Sequence, residues 1–544
     1  MRFVYSLCLL TLISGCSYQR QQPPATVQFD EQQYRRDIQQ LSSDAFEGRA
    51  PTTHGEKMTL DYLVNAFKNM GMQPGPDGSY LQKVPMVNYT ASEQQQVTLA
   101  GMPLQYRKDI VLNSRHGLKK IQIEQAPLVF VGYGINAPEY QWNDYQGLDM
   151  TGKIAIILVN DPGFAAPETG KFTGKIMTYY GRWTYKFEEA SRQGALGAIL
   201  IHQTDAASYP WSVVEHSWTG PQQDLATTSD TPRVQVEGWM SLASATAVFK
   251  QSGLKLQQLL HRAAREPLHI ALKQNASIHF ANHSTYADSY NVVATLPGQQ
   301  RANEHVLFTG HWDHLGKDES LSGDKIFNGA MDNASGVAGM LALARQYSAQ
   351  AKAGHPLQRS LTFIATTGEE QGLLGSRYYA QHPLYPLQNT IGVFNLDSTN
   401  IYGRTKDFII VGKGKSELEQ YLEAAVKRQQ RRVVSERHPE SGGYFRSDHF
   451  SFAQYGVPAA FSGGGSEPVD AATARYKAKM QQQMKGCYHN VCDQYHDNWD
   501  LGGALEDLAV YYHAAASLAD SDDRPGYYQG TEFYPLRPAS QHQH

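Results

Sequence analysis

Cysteine is scarce in this chain, with four residues in 544, too few for the dense disulfide framework that holds small secreted domains together. Charge is sparse as well. Acidic and basic residues together make up 18%, and the formal net charge is -4. A slightly acidic chain has no electrostatic pull toward nucleic acid, and no such partner is expected. Internal repeats are absent, which excludes a repeat architecture. Beyond the N-terminal segment, no apolar run is long enough to span a bilayer. What is present is 41% hydrophobic residues in a chain too long for one ordinary core, so two or more domains are expected.

The N-terminus has its own character. Met1-Arg2 supplies one positive charge, and residues 3–13 form an apolar run too short for a spanning helix. The run ends in Ile13-Ser14-Gly15-Cys16, which resembles the lipobox of bacterial lipoprotein signal peptides. That resemblance implies that residues 1–15 are removed and that Cys16 becomes a lipidated N-terminus. The alternative is an ordinary secretory signal with an incidental cysteine. Ser17, where an aspartate would retain the protein at the inner membrane, points by the same resemblance to an exported outer-membrane lipoprotein. Residues 16–29 then form a polar, proline-containing tether. By that resemblance Cys8 would leave with the signal and Cys16 would be acylated. Cys487 and Cys492 remain, close together and in an oxidising compartment, so a local disulfide is expected.

Periodicity divides the rest. Residues 30–72 read as helical, with Tyr62, Leu63, Ala66 and Phe67 on one face, interrupted by the loop signal Glu47-Gly48-Arg49-Ala50-Pro51. Residues 106–284 form a β-rich insert, in which runs such as Lys153-Ile154-Ala155-Ile156-Ile157-Leu158-Val159 alternate with turns. After residue 288, strand-like runs at 306–308, 361–365 and 391–394 alternate with helical stretches near 337–346, 374–381, 416–429 and 504–519. This predicts an α/β domain, residues 30–105 and 285–522, with a mainly parallel mixed sheet flanked by helices. Residues 523–544, rich in Pro, Gly, Gln and His, read as an uncovered tail.

The chemistry sits where the predicted strands end. His311-Trp312-Asp313 follows the first, Gly368-Glu369-Glu370 the second and Asn395-Leu396-Asp397-Ser398 the third, while Gly329-Ala330-Met331-Asp332-Asn333 opens a helix. Open α/β sheets gather their functional groups at the carboxyl ends of strands. Imidazole and carboxylate are zinc ligands, and two neighbouring zinc ions need one shared carboxylate plus separate ligands for each. Peptide hydrolysis further requires a base beside the activated water. Adjacent Glu369 and Glu370 let one carboxylate reach metal while its neighbour faces substrate.

The motifs His311-x-Asp313, Gly-Ala-Met-Asp332-Asn-Ala-Ser-Gly, Glu369-Glu370-x-Gly-Leu-Leu-Gly-Ser, Asn-Leu-Asp397-Ser and Cys487-Tyr488-His489 resemble those of the co-catalytic zinc aminopeptidases of peptidase clan MH. That family includes bacterial leucyl aminopeptidases and glutamate carboxypeptidase, with the transferrin receptor as a non-catalytic relative. The resemblance implies the zinc-peptidase fold with an inserted protease-associated (PA) domain, peptide substrates and two zinc ions per chain. Asp332 would bridge the metals, His311 and Asp397 would complete one site, and Glu370 and His489 the other. Glu369 would be the general base, and Asp313 would orient His311. Tyr488 would either hydrogen-bond the tetrahedral intermediate or simply pack. Ser447-Asp448-His449 resembles a recurring family motif near the substrate cleft and is read as structural, while His314 is read as a structural residue or one that supports a ligand rather than as a ligand. His496, seven residues beyond His489 and also preceded by tyrosine, is the competing ligand. His489 is favoured because the two cysteines flank it and Asp493 follows.

The expected reaction is removal of N-terminal residues from peptides. The rivals are a carboxypeptidase, a one-zinc glutaminyl cyclase on the same fold and a non-catalytic receptor-like protein. A carboxypeptidase would need a cationic pocket, for which Arg182 and Arg446 are the candidates. Arg182 lies in the aromatic-basic cluster Tyr179-Tyr180-Gly181-Arg182-Trp183, a candidate lip for the substrate cleft. Oligomeric state is not legible.

Overall fold

The computed structural model describes residues 27–226 and 233–539. The signal segment, the lipobox Cys16 and most of the tether lie outside the described residues. Among the described residues no helix is long and apolar enough to cross a membrane.

Two helices, α1 (Glu31–Leu41) and α2 (His54–Met70), lead into strand β1 (Leu81–Ala91). A second lobe follows, built on β2 (Lys120–Phe130), β3 (Ile154–Leu158), α3 (Trp183–Arg192), β4 (Gly197–His202) and β5 (Val236–Ser241). The chain returns through the 27-residue strand β6 (Ile270–Leu296). It continues through β7 (Arg301–His311), α4 (Gly336–Lys352), β8 (Arg359–Thr366), α5 (Leu374–Gln381), β9 (Thr390–Asn395), β10 (Ala459–Phe461) and α6 (Gly502–Asp520).

Strand order runs β10-β9-β7-β8-β6, and then across β6 into the second lobe as β2-β3-β4-β5. The neighbours β10, β9, β7 and β8 are parallel, whereas β6 is antiparallel to β8, β1 and β2. The sheet is therefore mixed and mainly parallel where helices cover both faces. Alternation along β7 explains the two layers. Val306 and Phe308 point into the core beneath α1, α2, α4 and α6, while Leu307 points into the opposite core with Val293, Ile364 and Tyr379. Phe308 stacks on Phe363 at 5.0 Å, tying β7 to β8. Helix α2 buries Leu63 and Phe67 on this core and stops at Gly71, which takes φ +77°.

The second lobe has separate cores, one of which begins with Ala91, Val97 and Leu99, upstream of residue 106. At its other end the lobe has no linker, because residue 284 falls inside β6. The expectation of an uncovered tail from residue 523 is corrected for the described part of that segment. Tyr527 is fully buried, its hydroxyl donates to the Val457 carbonyl at 2.8 Å, and Phe533 joins the same aromatic cluster. Composition concealed this because a few buried rings anchor an otherwise polar, proline-containing stretch.

Candidate active site

Three parallel neighbours end along one edge of the sheet. His311 is the last residue of β7 and pairs with Thr366 at the end of β8, three residues before Glu369. Thr309 pairs with Asn395 at the end of β9, two residues before Asp397. Strand pairing alone therefore gathers His311, Glu369, Glu370 and Asp397. Asp332 arrives from the irregular turn Ala330–Ser335 that precedes α4, and His489 from the C-terminal loop.

Asp332 stands between two imidazoles. Its Oδ1 lies 3.3 Å from His311 Nε2, and its Oδ2 lies 3.3 Å from His489 Nε2. Asp397 Oδ1 is also 3.3 Å from His311 Nε2, and Glu370 Oε2 is 2.8 Å from His489 Nε2. Each imidazole thus faces Asp332 and one further carboxylate, and His311, Asp332 and Glu370 also offer one ligand atom each within 4.8 Å of one another. Glu369 belongs to the same cluster: one ligand atom each from His311, Glu369 and Asp397 lie within 4.8 Å of one another. Distance alone does not separate Glu369 from the ligands; its environment does. Burial, reinforced by Asp397 and Glu370 against the opposing pull of His311, pushes the Glu369 carboxyl well above the usual range. Glu370 behaves oppositely. Burial and Asp332 oppose its ionisation, yet His314 and His489 hold it down to about 2. Adjacent glutamates thus have opposite proton affinities, the pattern expected of a proton carrier beside a permanently charged ligand.

These residues fit metal ions. A tetrahedral zinc ion with bonds of about 2.0–2.2 Å to nitrogen and oxygen separates its ligand atoms by roughly 3.3 Å, the spacing found around Asp332. His489 Nε2 is buried and has no hydrogen-bond partner, although two carboxylate oxygens lie close to it. That is the arrangement of atoms aimed at a common cation rather than at one another.

Much of the scaffold around the cluster is not apparent from motifs. Arg49, fully buried, donates to the carbonyls of Trp312 at 2.9 Å, Asn328 at 2.7 Å, Gly329 at 2.9 Å and Leu41 at 2.6 Å. It ties the His311 and Asp332 loops to the N-terminal helices. In sequence it is one residue of a loop signal; only its acceptors, three of them more than 260 residues away, reveal the role. Asn333 bridges further, donating to the His311 and Leu396 carbonyls and accepting from the N–H groups of Gly336 and Ser398. Ser447 donates to Asp397 Oδ2 at 2.6 Å and accepts from Asn395 Nδ2 at 2.7 Å, which fixes one candidate ligand. Asp448 accepts from Thr366, and His449 is buried. His314 Nδ1 lies 2.6 Å from Glu370 Oε1, so it holds the far oxygen of a ligand.

Asp313 is placed differently from expectation. Its Oδ1 accepts from the Glu369 N–H at 3.1 Å and lies 3.9 Å from His311 Nδ1, which is nearer, at 3.1 Å, to the Asp313 backbone carbonyl. The carbonyl therefore orients the imidazole, and the carboxylate positions Glu369. The Cys487–Cys492 disulfide forms, with S–S 2.06 Å, and encloses His489, which has φ +54°. Tyr488 stacks on His489 with centroids 3.9 Å apart and is 70% exposed, so its ring covers one face of that imidazole. His496 makes no contact with the cluster among the described residues; its carbonyl accepts from the Trp499 N–H. Arg182 follows the turn Tyr179–Gly181 of the second lobe, where Tyr179 packs between Phe445 and Phe450.

Residues 291–513 match the model for Peptidase family M28. This segment contains every candidate ligand and Glu369. A probable zinc metalloprotease of Pyrenophora teres f. teres (strain 0-1) is 38% identical over 107 residues, covering 20% of this chain and 22% of that protein. Leupeptin-inactivating enzyme 1 of Streptomyces exfoliatus is 30% identical over 213 residues, 39% of this chain and 44% of that protein. The chain thus spans less than half the length of these relatives. Among solved structures, an aminopeptidase from Aneurinibacillus sp. strain AM-1 shares the fold at 23% identity with a TM-score of 0.51, covering 92% of this chain and 95% of that one.

Proposed function

We propose that the protein is a zinc-dependent aminopeptidase that binds two zinc ions and removes N-terminal residues from peptides. The observation that carries this reading is Asp332, whose two oxygens face two separate imidazoles at 3.3 Å. His311 and Asp397 complete one site; Glu370 and His489 complete the other. When bound, zinc supplies Lewis acidity, which acidifies water and polarises the scissile carbonyl. Glu369 accepts the proton released by water and returns it to the leaving amine, a role suited to a buried carboxyl with raised proton affinity. His314 and Ser447 hold the ligands Glu370 and Asp397 so that Glu369 alone is free to exchange its proton. Asp313 aims Glu369 through its backbone N–H. Tyr488 stands over the cluster, where its hydroxyl can stabilise the tetrahedral intermediate. The second lobe is an inserted PA domain whose Tyr179–Gly181 turn forms part of the cleft wall.

Apoprotein reloaded with one and then two equivalents of zinc tests the reading. It should hydrolyse aminoacyl-anilides and carboxyl-blocked peptides, and leave N-acetylated peptides intact. Cleavage of N-acetylated peptides would establish the carboxypeptidase polarity instead, and cyclisation of N-terminal glutamine would establish the transferase. Anchoring is a separate part of the proposal: Cys16 carries lipid that holds the enzyme at the outer membrane. Wild-type protein should incorporate a palmitate label and Cys16→Ser should not; a wild type that never takes up the label overturns the anchor.

A further inference from the structure

Two aromatic rings bracket the segment that fixes Asp397. Phe445 closes the turn Gly443–Phe445, and Phe450 lies in the short helix His449–Ala453. Between them stand Ser447, whose hydroxyl donates to Asp397 Oδ2 at 2.6 Å, and Asp448, which accepts from Thr366 at the end of β8. The segment therefore holds one candidate ligand directly and also the strand that leads to Glu369. Both rings are buried, with centroids 5.4 Å apart.

The group that rests on these rings comes from the second lobe. The Tyr179 ring lies 6.0 Å from Phe445 and 5.1 Å from Phe450, tilted to each. Its hydroxyl donates to Glu188 Oε2 of α3 at 2.7 Å and accepts from Gln454 Nε2 at 3.1 Å, so it bridges the lobes. Neighbouring residues hold the ring in place. Thr178 donates through its N–H at 3.0 Å and its hydroxyl at 2.8 Å to Asp161 Oδ2, a buried carboxylate of the second lobe. The Met177 N–H donates to the Pro439 carbonyl at 3.2 Å. Met177 also packs so closely on Gly442 that a Cβ there would stand 2.4 Å from its Sδ. The contact is thus fixed from both lobes, and close-packed groups with no room to yield transmit displacement.

We infer that Tyr179 is a positioning residue for the metal site: by packing on Phe445 and Phe450 it holds Ser447 against Asp397. The second lobe thereby helps to build one of the two zinc sites. The inference rests on the zinc-peptidase reading and deepens it. Its effect has a direction. Ser447 holds Asp397, which faces His311 at 3.3 Å, whereas His314 holds Glu370 and the disulfide loop presents His489. Loss of the Tyr179 ring should be felt at the His311–Asp397 site far more than at the Glu370–His489 site.

Zinc affinity, measured by chelator competition in two backgrounds, tests this. His489→Ala retains the His311–Asp397 site alone, and His311→Ala retains the other. Tyr179→Ala should weaken zinc binding about 10- to 100-fold in the first background, as when a ligand loses its support, and about threefold or less in the second. Tyr179→Phe keeps the ring and should restore most of the affinity. A lobe that had merely come loose would not discriminate between the sites. Added to Ser447→Ala, Tyr179→Ala should weaken binding by less than about twofold more, because both changes act on one contact. Equal losses at both sites, no loss at the first, additive losses with Ser447→Ala, or a Tyr179→Phe as weak as Tyr179→Ala would each overturn the inference. Hydrogen exchange judges it without metal. In zinc-free protein the amides of residues 396–399 should exchange about 10-fold faster in Tyr179→Ala and in Ser447→Ala, and near the wild-type rate in Tyr179→Phe. Zinc binding in neither background counts against the two-zinc reading alone. Faster exchange at 396–399 would then still sustain the role of Tyr179, and unchanged exchange would overturn it.

Discussion

Asp493 grips the backbone of Asp332. Its Oδ2 accepts from the Asp332 N–H at 3.1 Å, its Oδ1 accepts from the Met331 N–H at 2.9 Å, and its own carbonyl accepts from Ala330 at 3.1 Å. The loop that presents His489 and the turn that presents the shared carboxylate are thus one hydrogen-bonded unit. Asp493→Ala should weaken zinc binding at both sites by about 10- to 100-fold, the usual cost of losing a residue that holds a ligand. Competition with a chromogenic chelator measures it. Unchanged affinity at both sites would show that Asp332 is held sufficiently by other contacts.

Glu369 and Asp332 should fail differently. Glu369→Gln removes the proton carrier but none of the proposed ligands, so zinc content should stay near wild type while kcat falls by at least about 10²–10⁴-fold. Asp332→Ala should lose metal as well as activity. Metal analysis beside steady-state kinetics distinguishes the two. Near-native turnover in Glu369→Gln would assign the base elsewhere.

His489→Ala should abolish binding at one zinc site and activity with it, whereas His496→Ala should leave zinc content near wild type. Reduction of the Cys487–Cys492 bond should lower affinity at the His489 site with little change in global stability, because a bond between residues five apart restricts little unfolded-chain entropy. Zinc titration and thermal unfolding of the reduced protein provide the two readouts. Loss of metal in His496→Ala with retention in His489→Ala would move the ligand by seven residues.

Acid stability has a source away from the site. His305 is buried at the start of β7, stacked on Tyr385 at 4.1 Å with Nδ1 2.9 Å from Thr362 Oγ1, and burial pushes its imidazole down to about 4. An unfolded-chain histidine titrates near 6.5. Between these values the unfolded state holds the extra proton, so stability present above about pH 6.5 declines as pH falls toward 4, by up to about 3 kcal/mol. His305→Gln should flatten the stability profile in that window. An unchanged slope in chemical denaturation between pH 4 and 6.5 would remove His305 from the account.

The strands bearing His311, Glu369, Glu370 and Asp397 were legible because each ends a short, continuous apolar run, and parallel neighbours place such ends together. His489 was legible through its flanking cysteines. Arg49 was not: its acceptors lie up to 280 residues away, and nothing in a local Glu-Gly-Arg-Ala-Pro pattern encodes them. Ser447 was singled out as part of a motif, but its partner was not legible, since its hydrogen bond to Asp397 crosses 50 residues. Asp313 shows the finer limit. A motif names a residue as support for its neighbour, but the direction of its carboxylate depends on the turn after β8, which brings the Glu369 N–H within reach.

Strand β6 also bears on assembly and mechanics. Residues 282–292 of β6 pair with all of β1, whereas residues 270–281 pair with β2 on one side and, at 276–279, with residues 96–99 on the other. The two lobes therefore share a continuous beam rather than a tether. Strand β1 pairs with residues 221–225 as well as with β6, so both of its partners are high-separation contacts made only after much of the intervening lobe has been synthesised. In the finished molecule, relative motion of the lobes must be taken up as twist and bending along β6. The lobes are coupled by main-chain hydrogen bonds along one strand, so a load applied to either lobe is passed to the other through the sheet.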